Sequence, residues 1–436
     1  MPYGSTLFLL FFSLPILIVN WQFFSFTAPL PVIILALSML VLVLSILVGR
    51  ELRISFSSIF IISVFPGLLL LFSIFQFYFG VLMYGNNFSI ELFLGNFIQL
   101  FIGFLLIILV ILLINFIGLR RGVSASLFGA VSVGALSSIY GITAQVLLFS
   151  GFDLAAFLAE TFKFIDAERS LEWSVQGLYR ASGFAGINAS AIYYSMLTPC
   201  AWYFASAPNN IFSNKFKWFF RLCLLLLLLG TLSSFSRVAW AVTFLFFAYI
   251  IIRRLDIKNF IFILFSVGIV FSIVGPDLMA MLLELGEVRL HLSSNRFLLW
   301  SGGLALIDSF PLGVGLGQYY NYAQIELQND ELYDLNLHNS WLDLLVTHGA
   351  LVLLTSCVVL LFLVFRLKRS PGVGPYLGAG LLLACIAGFG NSVFGMFYFS
   401  GFLALCISYI SLSKNLGELD VSVDEVHCQQ KKDFLA

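Results

Sequence analysis

Residues 97–118 read FIQLFIGFLLIILVILLINFIG, a stretch without a charged side chain that is long enough to cross the hydrocarbon core of a bilayer as a helix. Similar apolar runs recur along the chain, at about 5–24, 29–48, 57–79, 97–118, 124–149, 187–206, 217–235, 237–252, 259–276, 340–366, 375–393 and 395–412. The 436 residues are 61% hydrophobic and only 10% charged, too few charges to cover a water-soluble core of this size. The sequence therefore predicts an all-α, polytopic membrane protein with about twelve transmembrane helices.

The basic residues indicate the orientation of these helices. If the N-terminus is cytoplasmic, the inner loops, the nearby helix ends and the C-terminal tail hold sixteen of the twenty-two Lys and Arg residues. The others are Lys163, Arg169, Arg180, Arg237, Arg289 and Arg296. Because cytoplasmic loops carry the basic excess, we expect both termini in the cytoplasm. The formal net charge is zero, and no nucleic-acid partner is expected.

Two long segments interrupt the apolar pattern, and both lie on the outer side in this topology. Residues 150–186 include Leu154–Trp173, whose mixture of apolar and charged residues is typical of a helix on the membrane surface. Residues 277–339 are too apolar for a disordered linker, and we expect two amphipathic helices there. We therefore expect one transmembrane domain at 1–412, with its site completed by the segment 277–339, and a cytoplasmic tail at 413–436.

Polar residues that suit chemistry form four groups on the outer side. They are Tyr179-Arg180-Ala181-Ser182-Gly183-Phe184 with Asn188; Ser236-Arg237-x-x-Trp240; Ser294-Asn295-Arg296 with Trp300 and the glycine-rich stretch 311–317; and His338-Asn339-Ser340 with Asp343, followed by His348-Gly349. Guanidinium groups bind phosphate oxygens through two parallel hydrogen bonds, and an imidazole can accept a proton from a hydroxyl. Together the groups predict a site that binds a diphosphate and activates a hydroxyl.

Each group also has a structural interpretation. Arginines at helix ends can simply reach the lipid headgroups. Arg296 can pair with Asp308 or Glu287, and His338 can cap the following helix together with Asn339. Glycines such as those at 311–317 more often form turns than bind phosphate. No Cys or His spacing suggests a zinc site, and no metal is expected.

In their order and context, the segments from Arg180 to about Gly349 resemble the bacterial O-antigen polymerase and O-antigen ligase superfamily, which acts on lipid-linked glycans. They make up about 40% of the chain, and they depart from the family pattern at His348, where many relatives have Glu before the glycine. The resemblance implies a helical fold like that of the C-type glycosyltransferases. It also implies an inverting, metal-independent transfer without a cofactor, from an undecaprenyl-diphosphate-linked glycan to a hydroxyl at the periplasmic face of the bacterial inner membrane, as in lipopolysaccharide biosynthesis.

The resemblance also implies a role for each candidate residue. Arg180, Arg237 and Arg296 would bind the diphosphate, and Arg237 and Arg296 would act in catalysis with His338, which would activate the acceptor hydroxyl. The supporting residues would be Asn188, Asn339, Trp300 and Asp343. Besides the lipid-linked glycan and the bilayer, a flippase and a chain-length regulator of the same pathway are candidate partners.

Three functions fit this pattern. A polymerase transfers the glycan to another lipid-linked repeat unit, and we favour it because the outer loops are net acidic and show no basic patch for a phosphorylated core. A ligase transfers the glycan to lipid A-core instead. A twelve-helix transporter or flippase is the alternative from another class, but no internal repeat is visible and the predicted helices carry almost no ionisable residues near their centres.

Overall fold

The structure is a computed structural model that describes residues 2–16, 20–23, 26–47, 67–84, 88–161, 183–185, 187–206, 213–254, 299–319, 322 and 337–413. Within these residues the fold is helical apart from one short hairpin. The helices are α1 (Pro2–Ser13), α2 (Leu30–Leu47), α3 (Leu68–Tyr84), α4 (Ile90–Ile117), α5 (Leu119–Phe149), α6 (Leu154–Thr161), α7 (Ile187–Ser206), α8 (Asn214–Ser233), α9 (Arg237–Arg254), α10 (299–309), α11 (Ser340–Arg369), α12 (Gly374–Ala387) and α13 (Phe397–Ser413).

Four of the described helices are long and apolar enough to cross a membrane, namely α4, α5, α8 and α11. The other apolar helices are shorter or less apolar, so the described residues support a membrane protein without reaching the predicted twelve spans. The predicted span at 259–276 lies outside the described residues.

The first predicted span, 5–24, is wrong. α1 ends at Ser13, two residues before Pro15, because the proline ring disfavours helical backbone at the residue before it. The chain then forms an antiparallel hairpin of β1 (Asn20–Phe23) and β2 (Phe26–Pro29), rich in the aromatic residues that favour strands. Within the described residues the fold is thus all-α except for this hairpin.

α7 lies at the centre of the bundle, and most of its residues are buried. It packs against α5, α8, α9 and α12. Small residues let these helices approach closely: a Cβ at Gly380 of α12 would lie 2.5 Å from the carbonyl oxygen of Met196. Hydroxyls pair across the interfaces, as when Tyr193 donates to the carbonyl of Ala130, at 3.0 Å, and Thr243 donates to Ser195, at 2.9 Å. These two hydroxyls are therefore partnered between helices.

Basic residues concentrate at one end of the bundle. Ten of the eleven Lys and Arg residues that the structure describes lie there: Arg120 and Arg121 at the start of α5, Lys215, Lys217 and Arg221 at the start of α8, Arg253 and Arg254 at the end of α9, and Arg366, Lys368 and Arg369 at the end of α11. These helix ends meet around the end of α7. The Nε–H of Arg221 donates to the carbonyl of Ala205, at 3.4 Å, and the rings of Tyr203 and Tyr376 are 5.1 Å apart. Arg237 is the exception and lies at the opposite end.

Candidate active site

The end opposite the basic residues is built from the starts of α7, α9 and α11 and the ends of α8 and α12. Gly230, near the end of α8, packs against Ser138 of α5 and Tyr194 of α7 so closely that a Cβ would not fit. This end carries predicted site residues that the structure describes, among them Asn188 in the first turn of α7, Arg237 at the start of α9, and His338 directly before α11.

Arg237 follows the three-residue turn that joins α8 to α9, as the sequence predicts. The hydroxyl of Ser234 donates to the carbonyl of Thr231, at 2.7 Å. The indole N–H of Trp240 donates to the same carbonyl, at 2.8 Å. Phe235 has a φ of 51°, in the left-handed region that non-glycine residues seldom adopt. These contacts hold the backbone in place and present the exposed Arg237 side chain at a defined position.

Asn339 is the residue that caps α11. Its Oδ1 accepts hydrogen bonds from the backbone N–H groups of Trp341 and Leu342, both at 3.1 Å. His338 precedes the cap, is half-buried, and has a φ of 48°. Left-handed backbone costs a non-glycine residue about 1–2 kcal/mol and persists where the surroundings enforce it. The helix cap therefore accounts for an asparagine at position 339, but it does not account for a histidine with left-handed backbone at position 338.

Ser340 fixes the start of α11 to the turn at 388–396. Its N–H donates to the carbonyls of Gly388, at 2.8 Å, and Asn391, at 3.2 Å. Its Oγ donates to the carbonyl of Asn391, at 2.9 Å, and accepts from the N–H of Val393, at 2.6 Å. Because Ser340 is buried, losing its hydroxyl would leave these backbone groups without their partner.

The same turn contacts the start of α9. A Cβ at Gly390 would lie 2.6 Å from Cγ2 of Val238, the residue after Arg237. The turn therefore bridges the segments that carry Arg237 and His338. Hydropathy does not predict this turn, because it predicts residues 375–393 as one span. The cluster Gly388-Phe389-Gly390-Asn391-Ser392 was the signal that predicts a turn there.

Trp300 supports the residue before His338. It lies in α10, and its indole N–H donates to the carbonyl of the fully buried Leu337, at 2.9 Å. Tyr319 donates to the carbonyl of Leu299 in the same helix, at 2.8 Å. α10 and the residues that follow it thus form a small buried cluster that positions the chain leading into His338.

The glycine-rich stretch 311–317 packs against a break in α11. The backbone of α11 is non-helical at Gly349, with a φ of 80° and a ψ of 173°. Near this break, the carbonyls of Val346 and Thr347 accept hydrogen bonds from the N–H groups of Val314, at 2.9 Å, and Gly315, at 3.0 Å. Those two N–H groups are paired within the protein, so neither of them is available to a phosphate.

α3 contacts the same break. The side-chain amide of Gln76 donates to the carbonyls of Leu312, at 2.8 Å, and Thr347, at 2.6 Å. The ring nitrogens of the buried His348 lie 2.7 Å from Oγ1 of Thr347 and 3.2 Å from Oγ of Ser73. His348 therefore connects α3 to α11.

The remaining candidates are only partly described. Arg180 and Arg296 lie outside the described residues, so the convergence of three arginines on one diphosphate stays a prediction. The end of the first motif is described: the N–H of Phe184 donates to Oγ of Ser137, at 2.9 Å. Asp343 is half-buried in the first turn of α11.

Comparison with known families matches a segment that includes part of this end of the bundle. Residues 222–357 match the O-antigen ligase family. The match confirms the resemblance to the O-antigen polymerase and ligase superfamily. It covers about a third of the chain, from α8 through Arg237 and His338 into α11. A comparison with curated proteins gave no match.

The matched segment includes most of the candidate residues proposed from the sequence. Arg237, Trp300, His338, Asn339 and Asp343 all lie within it. Two candidate residues, Arg180 and Asn188, precede the matched segment. The turn at 388–396, which holds the start of α11, follows the matched segment.

Proposed function

We propose that this protein is an O-antigen or polysaccharide polymerase that transfers a glycan from undecaprenyl diphosphate to a sugar hydroxyl of a lipid-linked repeat unit. The hydroxyl oxygen attacks the anomeric carbon of the donor, and the bond from that carbon to the diphosphate breaks with inversion. The proton of the hydroxyl passes to His338 as general base. The reaction needs neither a metal nor a cofactor, and the fold is of the C-type glycosyltransferase kind.

The arginines compensate the charge of the departing diphosphate. A guanidinium group binds two phosphate oxygens at once and keeps its positive charge at any physiological pH. Arg237 is exposed at the start of α9, and we propose that Arg180 and Arg296 join it there. Charge stabilisation by arginines that are already in place lowers the barrier to bond breaking.

The observation that supports this proposal most directly is the bridge between the two described functional groups. Arg237 adjoins Val238, which packs on Gly390, and His338 lies two residues before Ser340, which is bonded to Gly388 and Asn391. A single turn thus contacts both segments at one end of the bundle, which supports a site that binds a diphosphate and a hydroxyl together.

A ligase is the alternative, and the description of the matched family favours it. The charge at this end of the bundle favours the polymerase, because a basic surface would suit the phosphorylated core of a ligase acceptor. Arg237 is the one described Lys or Arg at this end, whereas the described acidic residues there are Glu91, Asp153, Glu160, Asp308 and Asp343.

The glycan profile of a deletion strain tests the proposal. Core capped with a single repeat unit is expected for a polymerase, and expression of the wild-type chain should restore long glycan. Uncapped core with accumulated lipid-linked polymer would identify a ligase instead. An unchanged profile would contradict both functions.

The proposed location is the bacterial inner membrane, with both termini cytoplasmic and the site periplasmic. Ser150 is exposed at the end that carries Arg237, and Lys215 is exposed at the basic end. In a cysteine-free background, Ser150→Cys should react with an impermeant maleimide in spheroplasts, and Lys215→Cys should react only after lysis. The reverse pattern would place the proposed site in the cytoplasm, where it could not act on periplasmic glycan.

A further inference from the structure

A second site is suggested by a cavity of about 760 Å³ between α7, α9, α11 and α12. Its volume falls in the range of about 300–1,000 Å³ that is usual for ligand sites. The wall is mostly aliphatic and aromatic, with Trp202 of α7 and Ala379 of α12 among its residues. None of the residues assigned to the proposed active site lines it.

The polar groups of the cavity lie at the basic end of the bundle. Lys368 belongs to the last turn of α11, Tyr249 is near the end of α9, and Tyr376 is near the start of α12. The ring of Tyr376 is 5.1 Å from that of Tyr203, which lies at the end of α7 where the basic helix ends meet. The cavity is therefore apolar along most of its wall, with a cation and two phenols at the basic end.

This combination matches the chemistry of an anionic phospholipid. An acyl chain is favoured in an apolar cavity, a phosphate is attracted to lysine, and tyrosine rings are common at the level of the headgroups. Basic cavities between membrane helices on the cytoplasmic side are a known type of site for anionic headgroups. We infer that the cavity holds an acyl chain of an anionic glycerophospholipid from the leaflet at the basic end, with its phosphate against Lys368. This inference does not depend on the transfer reaction.

Trp202 provides a reporter inside the cavity. The full-length protein is placed in nanodiscs of dioleoyl phosphatidylcholine that contain a small fraction of phosphatidylglycerol with brominated acyl chains, which quench nearby indoles. The same fraction of brominated phosphatidylcholine serves as the reference. Quenching should be stronger with brominated phosphatidylglycerol, and Trp202→Phe should remove most of that difference.

Two variants and a matched control test the binding mode. Lys368→Gln should weaken the preference for phosphatidylglycerol about fivefold, the effect of one lysine near an anionic headgroup. Lys215→Gln removes an exposed lysine from the same end but outside the cavity, and it should leave the preference unchanged. Ala379→Phe should narrow the cavity and reduce the component of quenching that depends on Trp202.

Three results would overturn the inference. Equal quenching by the two brominated lipids would show that the headgroup is not recognised. Equal effects of Lys368→Gln and Lys215→Gln would show a general attraction to the basic end. Absence of Trp202 quenching by either lipid would mean that protein fills the cavity, for example the apolar run at 259–276.

Discussion

The substitution His338→Asn separates a catalytic histidine from a structural one, because the local structure makes the two roles predict different results. His338 has a φ of 48°, and asparagine adopts this left-handed region more readily than most residues. Asn339 keeps its two capping hydrogen bonds in the variant. The free energy of unfolding should therefore change by no more than about 1 kcal/mol.

Transfer by the same variant should be strongly impaired. Asparagine cannot accept a proton from the acceptor hydroxyl as imidazole does, and loss of a general base typically lowers the rate about 100- to 10,000-fold. The assay uses purified protein in proteoliposomes with an undecaprenyl-diphosphate-linked oligosaccharide as the donor. Product length is read on gels and by mass spectrometry, and melting temperature and donor binding are measured on the same preparation.

Ser213→Ala is the control for stability. Ser213 caps α8 at the basic end by accepting a hydrogen bond from the N–H of Phe216, and losing such a cap costs about 1 kcal/mol. This variant should have a lower melting temperature than the wild type but the same transfer rate per folded molecule. A well-folded His338→Asn that keeps more than about a tenth of the wild-type rate would refute the general-base role.

Three further predictions follow from contacts in the site. Arg237→Lys keeps the charge but loses the planar fork, so donor binding should weaken about tenfold. The melting temperature should not change, because the side chain is exposed. Isothermal titration calorimetry with the donor measures the binding. Ser340→Ala leaves buried backbone groups without their partner and should lower the free energy of unfolding by about 1–3 kcal/mol. Chemical denaturation in detergent measures this loss, and Ser340→Thr should restore part of it. Gly313→Ala should lower the melting temperature, because the φ of Gly313 is 85° and the carbonyl of Thr347 leaves no room for a Cβ. Gly95→Ala is the control, because a Cβ at Gly95 in α4 would point into open space, and it should not lower the melting temperature.

Each of these three has a clear contrary outcome. Donor binding by Arg237→Lys that is as tight as wild-type binding would show that the charge at this position is sufficient and that the planar fork is not used. Wild-type stability of Ser340→Ala would show that the turn at 388–396 holds α11 without the hydroxyl. Equal melting of the two glycine variants would contradict the packing of the glycine-rich stretch on α11.

The sequence was sufficient to predict the features that depend on neighbouring residues. Apolar length predicted both ends of α8 to within a few residues, whereas α4 begins about two turns before its predicted start. The short connection before Arg237 occurs between the predicted spans 217–235 and 237–252. The segregation of basic residues in the sequence agrees with the clustering of ten described Lys and Arg residues at one end of the bundle. The matched family segment confirmed the resemblance that the motifs suggested.

The errors occurred where local signals compete. The run at 5–24 is largely apolar and has no charged residue, but Pro15 ends the helix and the aromatic residues that follow form a hairpin. The run at 340–366 was predicted as one helix, and it is broken at Gly349. Hydropathy does not distinguish a straight helix from a broken one, because the break changes hydrogen bonding without changing the apolar character of the side chains.

The sequence by itself thus determined the membrane character, the approximate positions of several helices and the identity of the candidate residues. Only the tertiary structure decided that one turn joins the segments bearing Arg237 and His338, and that Asn339 is the cap. The physical reason is that a broken helix leaves carbonyls whose donors come from distant parts of the chain. The amide of Gln76, for example, reaches the carbonyl of Thr347, which is 271 residues away in sequence. No local pattern encodes such a pairing, because it depends on how the whole bundle packs.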